Sequence, residues 1–198
     1  MKTVVLASGS PRRRELLKRV LPEFEVMADD GEEELIPGEN PEETVRRLAM
    51  QKAENTAKRL KKDALILAAD TVVVLGEKIL GKPDDEDEAF AMLFSLSGKT
   101  HRVYTGLAVV DTKTGKKVSD FVVTKVRFRS LSEAEIHSYI RSGEPMDKAG
   151  AYGIQKIGAL FIESIDGDYF NVVGLPLCRL GIILKESFGI DLMEESQK

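Results

Sequence analysis

Apolar and β-branched residues run in short blocks over residues 3–7, 23–27, 64–75, 79–80, 101–111, 117–129 and 159–164, and these blocks predict strands. Block 64–75 is interrupted by Asp70 and Thr71. Elsewhere the apolar residues recur at helical spacing. Leu16, Leu17 and Val20 form such a stripe over residues 11–20, and Val45, Leu48, Ala49, Ala53, Ala57 and Leu60 form another to residue 60. Further helices are predicted over residues 84–96, 132–141 and 175–188.

The boundaries carry their own chemistry. Ser10 before Pro11 and Asn40 before Pro41 pair a capping side chain with a proline whose fixed φ suits a first helical turn. Ser132 and Glu135 have capping-box spacing. Acidic residues open the 84–96 helix, where the helix dipole favours them. Gly76-Glu77 and residues 112–115 read as hairpin turns. Residues 28–40 form an acidic loop, and 145–155 a Gly- and Ala-rich one. With no repeat and no linker, the pattern predicts one compact α/β chain with a mixed sheet.

Composition narrows the function. The 198 residues are 42% hydrophobic and 31% charged, enough for a sizeable core in one domain or in a single fold with two lobes. No apolar run approaches a membrane span, and the apolar stretch at the start is too short for a secretory signal, so a cytoplasmic location is expected. One cysteine, Cys178, and two histidines exclude an internal disulfide and a cysteine- or histidine-rich metal site. Any metal must be held by oxygen, which favours Mg²⁺ or Mn²⁺. A net charge of -4 disfavours general nucleic-acid binding. Residues 2–19 hold six basic groups and residues 23–43 hold ten acidic ones, a juxtaposition that suits a metal–polyphosphate ligand or simply two solvated surfaces. Scarce Asn and Gln beside many Lys, Arg and Glu fit a thermophilic source.

Several segments could do chemistry. Ser8-Gly9-Ser10-Pro11-Arg12-Arg13 follows a strand and opens a helix. Small residues allow close backbone approach, free N–H groups at the helix start favour an anion, and guanidinium groups grip phosphate oxygens. The plainer reading is a capped helix with solvated arginines, and both stand open on these residues alone. Asp70 lies between two apolar runs, and a carboxylate there must hold a metal, meet a cation or carry a raised pKa. Lys52, Lys82 and the acidic run Glu32-Glu33-Glu34 read by themselves as solvated groups. The segment from Asp147 to Gln155 combines small residues, a tyrosine and an amide able to read the edge of a base. Cys178 reads as core packing, and His101 and His137 as structural or exposed.

Taken together, Ala7-Ser8-Gly9-Ser10-Pro11-Arg12-Arg13, Ala69-Asp70-Thr71-Val72-Val73, Ile79-Leu80-Gly81-Lys82-Pro83, Leu96-Ser97-Gly98, the run from Asp147 to Gln155, and Val172-Val173-Gly174-Leu175-Pro176 resemble the Maf family. The ordered set spans nearly the whole chain as one domain. The resemblance implies a fold like that of inosine triphosphate pyrophosphatases, a mixed sheet flanked by helices in two lobes around a cleft. It implies hydrolysis of nucleoside triphosphates between the α- and β-phosphates with a divalent metal, Mg²⁺ or Mn²⁺. It implies Asp70 as proton acceptor or metal ligand, Ser8, Arg12, Arg13, Lys52 and Lys82 on the phosphates, and Glu33 as a further acidic member near the metal. Arg13, Thr71 and Gln155 look like the specificity residues of the subgroup acting on dTTP and UTP, and on modified pyrimidine nucleotides. Lys156 departs from the glycine that many members have. A homodimer and a house-cleaning role follow from the same resemblance, with a septum-formation regulator acting through a protein partner as the alternative. Asp70→Asn is expected to remove turnover and leave folding intact.

Overall fold

The computed structural model describes residues 2–29, 31, 34–36 and 38–196. Its strands are β1 (Thr3–Leu6), β2 (Glu25–Val26), β3 (Ala64–Leu75), β4 (Lys78–Leu80), β5 (Thr100–Asp111), β6 (Lys117–Phe128) and β7 (Ile162–Asp166). Its helices are α1 (Pro11–Lys18), α2 (Pro41–Arg59), α3 (Glu86–Leu96), α4 (Glu133–Ile140), α5 (Tyr169–Val173), α6 (Leu177–Phe188) and α7 (Leu192–Glu195). The strands run in the order β2-β1-β3-β5-β6-β7, with β4 also paired to β3. The sheet is mixed, because β1 is parallel to β2 and β3 while the β3–β4 and β6–β7 pairs are antiparallel. The chain divides into two compact units, one of Met1–Asp70, Thr105–Val122 and Gly174–Lys198, the other of Thr71–Tyr104 and Val123–Val173.

In the first unit α2 lies on the sheet through small residues. Ala49 and Ala53 share a buried cluster with Val5, Ala64, Ile66, Ala68, Ala108 and Val110. Small side chains at helix spacing let the helix backbone come close to the strands. The closest approach is at Gly106, where an added Cβ would overlap the carbonyl of Val45. The β5–β6 hairpin is fixed by buried Asp111, which accepts from Lys2 Nζ at 2.5 Å, Thr114 Oγ1 at 2.8 Å and Lys113 N at 3.1 Å.

The second unit has an aromatic core. Phe128, Tyr139, Tyr152 and Phe161 pack with Leu93, Leu96, Val103 and Ile136. His101 sits in this core, edge-on to Phe128 and Tyr152 with centroids 5.0 and 5.4 Å away. Burial lowers its pKa to about 4, so the ring is neutral near pH 7. For Asp111, burial opposes ionisation, but Lys2, Thr114 and the Lys113 amide outweigh it and lower the carboxyl to about 2. Both folded-state values lie below the unfolded ones, so both groups stabilise the protein above their unfolded pKa and lose that contribution as pH falls through the folded value. Urea midpoints should therefore fall from about pH 6.5 towards 4 through His101, and again below about pH 4 through Asp111. Lys2→Met should flatten the lower window, and an unchanged profile in that variant would contradict the assignment.

Most expected elements are present, with instructive differences. β3 runs unbroken through Asp70 and Thr71. The last expected strand moves to Ile162–Asp166, because residues Ile157–Phe161 form a 3₁₀ turn. The last long helix starts at Leu177, after the short helix α5, with Pro176 at its cap position. Cys178 is exposed and not in the core, because the buried stripe of α6 is set by Leu180, Ile183 and Leu184. His101 is a buried structural residue and His137 is exposed.

Candidate active site

In the first unit β1 delivers the chain into a small-residue turn. Ala7 N still bonds Leu67 O at 2.8 Å, and α1 begins four residues later. Ser10 occupies the cap position with extended backbone, yet its hydroxyl makes no cap, and the first turn holds no acid. The expected serine cap is thus absent, and Ser10 N instead donates to the buried Ser8 Oγ at 3.2 Å. Three arginines occupy a turn where the helix dipole disfavours cations. Of the two expected to grip phosphate, Arg12 and Arg13 are both half-buried.

Arg13 is held in place. Its Nε donates to Gly174 O at 2.8 Å and its Nη1 reaches Ser8 Oγ at 3.4 Å. Gly174 has φ 116°, a conformation open to glycine and strained for other residues. That explains the glycine in Val172-Val173-Gly174-Leu175-Pro176, for which sequence reasoning had no role.

Lys52 differs most from its solvated reading. It projects from the buried face of α2, in line with Leu48 and Thr56, and donates to Asp70 Oδ1 at 2.5 Å. Its side chain is 10% exposed and that of Asp70 is 6% exposed. The carboxylate between two apolar runs is therefore matched by a cation from another element. A buried ion pair contributes little net stability, because desolvation offsets the attraction. Its presence here is better explained by chemistry than by folding.

The second unit carries the remaining candidates. Thr71 is half-buried on β3, directly after Asp70. Lys82 is exposed in the segment after β4. Its neighbour Gly81 accepts from Gly150 N at 2.9 Å, which ties the Asp147-to-Gln155 segment to the lysine's own strand end. Gly150 and Ala151 both have left-handed backbone, φ 68° and 58°, and a Cβ on Gly150 would lie 2.9–3.0 Å from all three side-chain carbons of Val73. A non-glycine residue in that region stores roughly 1 kcal/mol of strain. The surrounding contacts over-determine the turn. Gln155 is half-buried four residues later.

Glu33 lies outside the described residues. Among the described residues no group of three or more potential ligands could cage a metal. In the first unit the candidate site residues include one carboxylate, Asp70. Mg²⁺ commonly takes one or two carboxylates and completes its shell with water and substrate phosphates, so this oxygen donor fits such an ion.

The family model described as Maf-like protein matches residues 3–187. The chain is 52% identical over 193 residues to the dTTP/UTP pyrophosphatase of Alkaliphilus oremlandii (strain OhILAs), covering 98% of this chain and 100% of that protein. It is also 52% identical over 190 residues to the dTTP/UTP pyrophosphatase of Thermoanaerobacter sp. (strain X514), covering 96% and 99%. Among solved structures, a HAM1 protein from Coxiella burnetii superposes with TM-score 0.47 at 17% identity, over 65% of this chain and 73% of that one.

Proposed function

This chain belongs to the Maf family, and from that premise we propose that it hydrolyses dTTP and UTP to the nucleoside monophosphate and pyrophosphate. Water adds to the α-phosphorus, the bond from the α-phosphorus to the bridging oxygen breaks, and pyrophosphate leaves with that oxygen. The observation that carries the mechanism is the buried Lys52–Asp70 pair. Asp70 takes the proton of the attacking water, or would serve as a ligand of the cation. Lys52 donates to the carboxylate and holds it in place. Arg12, Arg13, the uncapped start of α1 and Ser8 bind phosphate oxygens, and Lys82 adds positive charge. Such fixed charges stabilise what builds up on the phosphates in the transition state.

A divalent cation, Mg²⁺ or Mn²⁺, belongs to this proposal: Asp70 and, from the family resemblance, Glu33 would hold it, and it would supply a Lewis acid for the phosphates. So do a house-cleaning role that extends to modified pyrimidine nucleotides, a homodimer, a cytoplasmic location and the absence of a nucleic-acid partner. Among the described residues no helix is long and apolar enough to cross a membrane. A division regulator acting through a protein partner is the disfavoured reading, since the relatives are named as enzymes.

Arg13, Thr71 and Gln155 select the base. Thymine and uracil present a carbonyl beside an N–H, which a carboxamide matches with one donor and one acceptor. Gln155→Glu removes the donor and leaves an acceptor suited to the amino group of cytosine. The kcat/KM ratio for dTTP over CTP should fall by about tenfold or more. Pyrophosphate release should be measured over dTTP, UTP, CTP, 7-methyl-GTP and modified pyrimidine nucleotides, with metal and with chelator. An unchanged profile in the Gln155→Glu variant would remove Gln155 from base selection, and metal-independent turnover would remove the cation.

A further inference from the structure

The geometry points to Tyr139 and Glu144 as positioning residues that set the base-selecting amide of Gln155, an inference that rests on the reading of Gln155 given above. Gln155 lies on a short loop whose two ends meet. A Cβ on Gly158 would lie 2.5 Å from Gly153 O and 2.8 Å from Tyr139 Oη. Only glycine at 158 allows the loop to close this tightly around the tyrosine hydroxyl.

Both ends of the loop are bonded to one small polar group. Tyr139 Oη accepts from Gly153 N at 3.2 Å and donates to Glu144 Oε1 at 3.0 Å. The Glu144 carboxylate accepts from Ile157 N at 3.2 Å and from Gly158 N at 3.3 Å. Three backbone N–H groups, on both sides of Gln155, thus converge on a phenol and a carboxylate from the end of α4 and the turn after it. Burial raises the pKa of Tyr139, so its hydroxyl keeps the proton it donates. The residue before the loop is held as well, since Tyr152 Oη lies 2.8 Å from His101 Nε2 inside the aromatic core.

Most of this arrangement exceeds what packing alone needs. Tyr139 would fill the same core space as phenylalanine, stacked edge-on with Phe161 at 4.9 Å. The hydroxyl and the carboxylate add direction, because they fix where the loop's backbone points. A carboxamide discriminates between bases only if its donor and acceptor are aimed, and small misplacement of a recognition group is costly.

The test compares Tyr139→Phe, Glu144→Gln and Gln155→Ala in the full chain, each by thermal midpoint and by kcat/KM for dTTP and for CTP. Tyr139→Phe and Glu144→Gln are expected to lower the dTTP-to-CTP ratio by about fivefold to tenfold. Neither should lower it further in a chain already carrying Gln155→Ala, because the interaction they serve is gone. A fall in midpoint with both substrates reduced equally, leaving the ratio unchanged, means a structural role and overturns the inference. If Tyr139→Phe does not fold, Glu144→Gln decides by the same ratio. A ratio unaltered by Gln155→Ala overturns both the inference and the reading of Gln155. A ratio altered by Gln155→Ala but by neither other variant overturns the inference alone.

Discussion

Replacing Lys52 with methionine and Asp70 with leucine in one chain is expected to end pyrophosphate release while leaving stability close to that of the parent. The two groups meet at 2.5 Å with both side chains almost buried. Removing one partner strands the other charge away from water, at a cost of about 3–5 kcal/mol. Replacing both with apolar residues of similar size removes that penalty and is often near neutral. Asp70→Asn is therefore expected to cost stability as well, against the sequence-based expectation of intact folding, because Lys52 loses its counter-charge. Its turnover should drop by about a thousandfold, and its urea midpoint should fall as well. The double variant should recover the midpoint and not the turnover. Recovery of turnover would show that the pair is structural, and a double variant less stable than either single one would show that the pair holds the fold.

Gly106→Ala should be the most damaging single methyl in the first unit. The added carbon would overlap the Val45 carbonyl and sit 2.9 Å from Arg46 N. These are backbone atoms in the second turn of α2, so no side chain can turn aside. The helix must lift off β5, at a cost of about 3 kcal/mol or more. Val45 is two helical turns from Lys52, so the shift should also disturb the Lys52–Asp70 pair and lower activity with stability. Gly181→Ala in α6 is the control, since the nearest atom to its new carbon is 3.9 Å away. A Gly106→Ala protein with a parental urea midpoint would contradict the close approach of α2 to the sheet.

Local chemistry made much of the fold readable before the structure. The Asn40 cap, the Ser132–Glu135 capping box and the hairpin turns depend on neighbours within a few residues, and each is found. Asp70 stood out because its flanks are apolar. Its partner did not, since the burial of Lys52 depends on how α2 is rotated against β3, a relation between residues 18 apart in the chain. Cys178 was misread because a leucine-rich context does not fix helix phase, and the stripe is set by Leu180, Ile183 and Leu184. The Tyr139–Glu144 arrangement was illegible because its partners are backbone N–H groups, which every residue but proline carries. The site's charge pattern was half readable. Free N–H groups at the start of α1 and the guanidinium groups of Arg12 and Arg13 suggested an anion, whereas the uncapped state of that helix start shows only in the folded chain.

Cleavage between the α- and β-phosphates can be followed by phosphorus NMR of dTTP turnover with Mg²⁺ present. The expected products are dTMP and pyrophosphate in equal amounts, with the dTTP signals unchanged in the Lys52→Met/Asp70→Leu protein. Formation of dTDP and orthophosphate, or no turnover by folded parent protein, would contradict that cleavage.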